Sequence, residues 1–483
     1  MIKYLLIILL TTFPLLAQQE EIITVVGDSL VGKFIDGESI REVYGNVVLT
    51  QGNVVINCDQ AVQFISRNDA ELIGNVVVKQ DSITITTPRG FYYGDERTAN
   101  SSSGVMLDDQ KVILTAKSGV YYFNESRAFF TDSVKLFDTT TTLTSDSLTY
   151  FQNENRIIAV GNVKIVDQEN TIEADSLQHF RDSRITFADI NVKITSLENN
   201  VMIFGDHLED YAEEYYTSIN RNPLLMQVDS TYINSLVFNA EGVVSDTVRS
   251  LRIDSLIIIS NLMEAYRDTL NIFVAKDSVQ IIRGMFASKN DFTLYRKNDD
   301  KIITEKPTAE SAQPVLWFEN SQLTGDSVTI HLLNNRIQLL ELDQNAFIHS
   351  QNEIYHDRYD QIAGERIKIN FDEAGINSTE VEGSVYSIYY LYEDELPNGL
   401  IKATSGTAVI KLEDDKVNEV RLYGSPKSEY YPEPQVKGNE FSYTLPGFKI
   451  ISSRPVKEKL LSGYSGFITE KENTVEISDS SAN

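Results

Sequence analysis

Apolar residues fall at every second position in short runs along most of this chain. Val163 and Ile165 flank Lys164, Val134 and Leu136 flank Lys135, and Val192 and Ile194 flank Lys193. A period of two, rich in β-branched residues, predicts strands with one buried face. Polar clusters interrupt these runs at two recurring places. One set is Gln51-Gly52, Asp108-Asp109 and Asp167-Gln168-Glu169-Asn170; the other is Ser66-Arg67-Asn68-Asp69, Asn124-Glu125-Ser126-Arg127 and Asn153-Glu154-Asn155-Arg156. Such clusters predict turns, so each unit reads as two strands and two turns. The alternating runs open on a common beat: Gly45-Asn46-Val47, Gly74-Asn75-Val76 and Gly161-Asn162-Val163, with Gly104-Val105, Asp132-Ser133-Val134 and Asn191-Val192 in equivalent places. No long helical period occurs.

Two columns fix the repeat. Aromatic residues stand at Phe64, Tyr93, Tyr122, Phe151, Phe180 and Tyr211, the first five at intervals of 29 residues. Six positions earlier come Cys58, Thr87, Ala116, Ser145, Ala174 and Gly205. Two columns in phase mark an array of one structural unit. The regular array spans about residues 22–212. A less regular stretch, Ala212 to Ser235, contains Asn222-Pro223. The beat then resumes unevenly over 235–450, at Ile253-Asp254-Ser255-Leu256, Gly325-Asp326-Ser327-Val328 and Gly364-Glu365-Arg366-Ile367, with an insertion near Asn298–Gln313. Residues 455–483 turn polar and are expected to form a disordered tail. The pattern predicts an all-β chain. Parallel coils and antiparallel hairpins would give the same columns, so both stay open, as do rings packing a core and rings lining a groove.

Composition narrows the setting. An apolar run from Tyr4 to Leu16 follows Lys3 and ends at Ala17, which suits a signal peptide over residues 1–17, cut after Ala17. An exported chain with a single cysteine has no internal disulfide. That residue, Cys58, belongs to the small column and is expected to fill space. A net charge of −28 excludes nucleic acid as a partner, because nothing would neutralise phosphates. His179, His207, His331, His349 and His356 show no zinc spacing, and no nucleotide-binding or nucleophile motif occurs, so neither a catalytic residue, a metal nor a cofactor is expected. The Asp column (Asp59, Asp146, Asp175, Asp206) lacks the Gly-rich nonapeptide of calcium β-rolls and suits local backbone bonding instead. Arg67, Arg97, Arg127, Arg156 and Arg184 recur near the second turn. Such a row could form a rim for phosphates, although ordinary turn solvation is the simpler reading.

The export signal, the tandem Gly-Asn-Val units and the small-Asp-Ser-Leu beat (Ser145-Asp146-Ser147-Leu148, Ala174-Asp175-Ser176-Leu177) together resemble the OstA/LptA family of lipopolysaccharide-transport proteins. The segments Pro314–Asp326, Ser387-Ile388-Tyr389-Tyr390 and Tyr430-Tyr431-Pro432 are similar to a long OstA-like subgroup. The resemblance implies a tandem antiparallel β-jellyroll, or β-taco, in the periplasm, with association to the outer membrane left open. It implies non-catalytic transport of lipopolysaccharide or its lipid A part, with acyl chains held in an apolar groove. The groove candidates are the inward positions Val47, Leu49, Val76, Val78, Val134, Leu136, Val163, Ile165, Val192 and Ile194. No barrel-like strand series follows residue 455, unlike the outer-membrane member, and the chain is much longer than the short bridge protein. The competing reading is a structural β-solenoid spacer or surface interaction protein with a dry core. Expected partners are other jellyroll proteins of the transport bridge, docking on the edge near Val25–Val31; Pro432, Pro434 and Pro446 make the other end less inviting.

Overall fold

The computed structural model describes residues 22–464, apart from 197–199, 239–243, 334–335, 373–374, 394 and 414–415. The leader expected over 1–17 lies outside the described residues. The chain divides into two compact units, Met1–Asn155 and Arg156–Asn483. Their described strand pairs are antiparallel, which decides between the two arrangements that the columns left open.

The first unit contains β1 (Thr24–Val26), β2 (Ser29–Ile35), β3 (Glu38–Gln51), β4 (Val54–Phe64), β5 (Asp69–Gln80), β6 (Ile83–Tyr93), β7 (Thr98–Ser101), β8 (Val105–Asp108), β9 (Ile113–Ala116), β10 (Ser118–Tyr122), β11 (Arg127–Phe137) and β12 (Thr142–Phe151). It is a meander: β3 to β6 pair in succession, and β1 and β2 share the free side of β3. The β7–β8 and β9–β10 stretches are single strand lines broken at a bend. Polar turns close the hairpins by local bonding. Asp109 Oδ1 accepts the N–H groups of Lys111 and Val112 at 2.9 and 2.7 Å, and Asp138 Oδ1 accepts those of Thr140 and Thr141.

The Gly-Asn-Val beat does not open strands as the alternation suggested. It lies inside them. Gly45 and Asn46, Gly74 and Asn75, and Gly161 and Asn162 are consecutive left-handed residues, and the register slips across each pair. Each is a β-bulge that bends a long strand into two limbs. An aspartate of the preceding strand braces the bulge: Asn75 Nδ2 donates to Asp59 at 2.9 Å and Asn191 Nδ2 to Asp175 at 2.7 Å. The small column pairs with the valine of the beat, as in Val47 opposite Cys58 and Val134 opposite Ser145. Its polar members, Cys58, Thr87 and Ser145, each donate to the carbonyl two residues on, at 3.2, 3.0 and 2.9 Å.

The second unit continues the pattern through strands such as Arg156–Val166, Asn170–Phe180, Ile185–Ser196 and Val201–Tyr211, with later strands as long as Ile376–Glu393 and Leu396–Glu413. The stretch from Ala212 to Ser235 is paired β structure as well, because Tyr216–Asn220 lies along one limb of Val201–Tyr211 and Leu224–Phe238 along the other. Its irregular sequence reflects a strand line broken at Arg221 and Asn222, both left-handed. A segment beyond Pro432 returns across the outside of the sheet. It includes a helix at Lys457–Ser462 with Leu460 buried, so the start of the expected polar tail is packed structure.

Candidate functional site

Register alone lays out the interior of the first unit. Leu49 faces Ile56, then Val78, Ile85, Leu107, Leu114, Leu136 and Leu143 in line across the sheet. Residues directly opposite share a face, so alternation on each strand becomes a continuous aliphatic row. The whole row is buried. The other limb contributes Leu72, Gly119 and Phe130. Between the limbs lies a small void of about 20 Å³, lined by Leu72, Val76, Val78, Ile85, Phe91 and Phe130 among others. An open recess of about 830 Å³ occupies the bend near Gly74, Pro88 and Gly104, and it shares Val76, Thr87 and Val105 with the void.

The mouth of this unit is tied shut by residues from opposite limbs. Tyr92 donates its hydroxyl to Gln51, which donates in turn to the Gly94 carbonyl at 2.9 Å. Arg97 reaches Asn53 at 2.9 Å, and the Tyr150 hydroxyl donates to Asp109 at 2.6 Å. Tyr92, Tyr150, Gln51 and Asp109 are all buried, so these bonds act where water competes weakly. Of this latch the sequence marked only Gln51 and Asp109, as turn residues, and Arg97, in the arginine row. Pairing between residues some 40 positions apart leaves no local signal.

Eight of the ten groove candidates are buried: Val47, Leu49, Val76, Val78, Val134, Leu136, Val163 and Val192. Ile165 and Ile194 are half-buried, and they stand in line with Ile172 and Ile203, half-buried too. Their row is therefore incompletely covered within the second unit. The flanking Lys135 and Lys164 are exposed, while Lys193 is half-buried over the ring of Phe204 at 5.6 Å.

The phased aromatic column lies elsewhere. All six rings are half-buried at strand ends, next to the buried Tyr92, Tyr121 and Tyr150, and they form contacts along one face, such as Phe64–Phe91 at 6.0 Å and Phe187–Tyr211 at 6.2 Å. The residues that reveal the repeat are thus not those that line its interior. In the arginine row, Arg67 bonds Glu38 at 2.8 Å and stacks on Phe64, and Arg127 bonds Glu125 at 2.7 Å and stacks on Tyr122. Arg97 belongs to the latch. Arg156 is half-buried and Arg184 exposed. Burial pushes the Cys58 thiol up to about 11, which leaves it protonated and unreactive at neutral pH. Among the described residues no His, Cys, Asp or Glu cluster could hold a metal ion, and no helix is long and apolar enough to cross a membrane.

Fold and site together define an antiparallel β-jellyroll array with an aliphatic interior between two limbs. Residues 20–175 match the family described as OstA-like protein, so that segment is similar to the OstA/LptA-like proteins. LptH, the LptA-homologous periplasmic component of the lipopolysaccharide transport device of Pseudomonas aeruginosa, is 16% identical over 35% of this chain and 84% of its own, with a TM-score of 0.12. No curated protein matches the chain.

Proposed function

We propose that this protein binds lipopolysaccharide through its lipid A acyl chains and passes it across the periplasm toward the outer membrane, without catalysis. The observation that carries this reading is an aliphatic interior that is incompletely closed. In the first unit the void adjoins the recess at Val76, Thr87 and Val105, and in the second the row Ile165–Ile172–Ile194–Ile203 is half-covered. Each methylene moved from water into such a lining contributes about 0.8 kcal/mol, so several acyl chains offset repulsion between a protein of charge −28 and an anionic headgroup. The lipid is then held by its apolar part. The arginine row is a weaker headgroup candidate, since Arg67 and Arg127 already pair with glutamates.

The dry-spacer alternative keeps one observation in its favour: the first-unit row from Leu49 to Leu143 is packed and its mouth latched. Photocrosslinkers distinguish the readings. Placed at Ile165 and Ile194 they should capture lipid in cells, while placed at Lys164 they should not. Equal labelling on both faces, or protein that purifies without lipid by mass spectrometry, would favour the spacer.

The partner surface proposed with this function is β2. Among the described residues it pairs only with β3, every residue in it is exposed, and Leu30, Phe34 and Ile35 present large apolar side chains to water. A free, apolar edge strand suits addition of a strand from another jellyroll.

A further inference from the structure

The outward side of the second unit differs from that of the first. In the first unit the outward row is Thr50, Val55, Lys79, Thr84 and Asp108, as water-facing positions require. In the second, register lines up Met226, Ile257, Ile282, Ala287 and Trp317, and Gln322, His349, Gln361 and Ile388 continue the line. An apolar strip of this length facing water is a liability unless something covers it. The cover is the segment after the last strand, Lys427–Pro432.

That segment lies along the strip in order. Val436 and Leu445 pack with Phe347, Ile388, Tyr390 and Leu400, and Phe448 stands against His349 at 5.1 Å between ring centres. Further on, Arg454 donates to the carbonyls of Glu319 and Met285, Lys457 donates to Ser255, and Leu460 joins Trp317 and Phe204. Between these anchors the segment has no strand pairing. Its backbone is read by two buried amides instead. Gln361 donates to the Tyr443 carbonyl at 3.4 Å and accepts the Leu445 N–H at 2.9 Å. Gln322 does the same for Lys449 and Ile451, both at 2.8 Å. The two glutamines are only 4% and 5% exposed. Each therefore imitates one rung of a β-ladder for residues two apart, which demands no particular side chain at those positions. Arg358 pins the near end, with bonds of 3.1 and 2.6 Å to Glu433 and 3.5 Å to Glu440.

We propose that the outer face of the second unit is a peptide-binding channel, and that residues 439–464 are its ligand carried in cis. The channel takes an extended segment through its backbone and sorts it by apolar anchors at Leu445, Phe448 and Leu460. The strands beneath form their ladder with one another and none of them pairs with the arm, so the ladder does not require the arm. Its release would uncover Trp317, the single tryptophan of the chain.

The test keeps the whole chain. Gly438 is an exposed left-handed turn residue with open space beside it, so a protease recognition sequence inserted there leaves both halves present after cutting. The cut arm should stay bound, and an excess of synthetic peptide 439–464 should exchange with it. Trp317 emission should shift to the red when the arm is washed away and recover as peptide is added. Gln361→Ala should weaken that recovery about tenfold through two lost hydrogen bonds. In the uncut chain the same variant should speed hydrogen exchange at Leu445 and leave the β-sheet circular dichroism unchanged. An arm that never exchanges under native conditions would overturn the proposal, as would unchanged tryptophan emission after its removal.

Discussion

At the scale of single residues, the inward positions were legible and their degree of burial was not. Alternation placed Leu49 and Ile165 alike on the inner face, yet one is buried and the other half-buried. Exposure depends on which limb comes to lie opposite, and no local pattern encodes that. The difference sets the expected cost of truncation. Leu114→Ala, in the sealed row, should destabilise the first unit by about 2–5 kcal/mol in urea denaturation, whereas Ile194→Ala should cost clearly less. Asp360 makes a pH prediction. Burial raises its carboxyl to about 7 against an ordinary 3.8, while the Tyr390 N–H at 2.9 Å pulls the other way. The folded state then binds more protons than the unfolded state between those values, so stability declines as pH rises from about 4 to 7. His349 acts in the opposite sense. Burial holds its imidazole below 6.5, so its contribution is lost as pH falls below that value. Asp360→Asn should abolish the decline on the acidic-to-neutral side, read from urea midpoints between pH 4 and 8, and leave the His349 loss in place.

At the scale of elements, the repeat gave the strand count per unit and missed where strands bend. Gly-Asn is a turn signal in sequence, and here it makes a turn's worth of left-handed backbone without ending the strand. The same bulge recurs without glycine at Asp132-Ser133 and Asp277-Ser278, where two ordinary residues hold positive φ. Neighbouring strands impose that geometry, which is why the beat varies in composition while keeping its phase. Gly74 has φ +75°, and a Cβ there would collide with the carboxylate of Asp59. Gly74→Val should therefore cost about 1–3 kcal/mol, measured by denaturation, and Asp59→Ala about 1 kcal/mol through loss of the bond from Asn75.

At the scale of the molecule, the sequence argument for unequal ends needs correction. Pro432 closes the last strand, and Pro434 and Pro446 lie beyond it in the arm. None of them interrupts the edge strand Lys416–Tyr423, where Val420 and Tyr423 are exposed. Both termini of the array thus offer free edges, and β2 remains the better site because it exposes Leu30, Val31, Phe34 and Ile35 against Val417, Val420 and Tyr423 at the other edge. Leu30→Pro should abolish capture of a jellyroll partner in a pull-down while circular dichroism keeps its β signature; docking that survives would place the contact at the other edge. The latch makes a second prediction. Tyr92→Phe combined with Tyr150→Phe should increase lipid crosslinking at Val78, because the limbs of the first unit then part more readily.

The sequence by itself determined the strands, their inward faces and the repeat, since all three are written in periods of two and 29 residues that near neighbours impose. Tertiary structure alone decided that the strands run antiparallel, that the first interior is latched, and that a C-terminal segment covers the second unit. Strand direction depends on which neighbouring strands pair, and the latch and the arm on contacts from about 40 to more than 200 positions apart, such as Tyr150 with Asp109 and Lys457 with Ser255. Contacts at that separation are selected by packing and register, and leave no periodic trace in the chain.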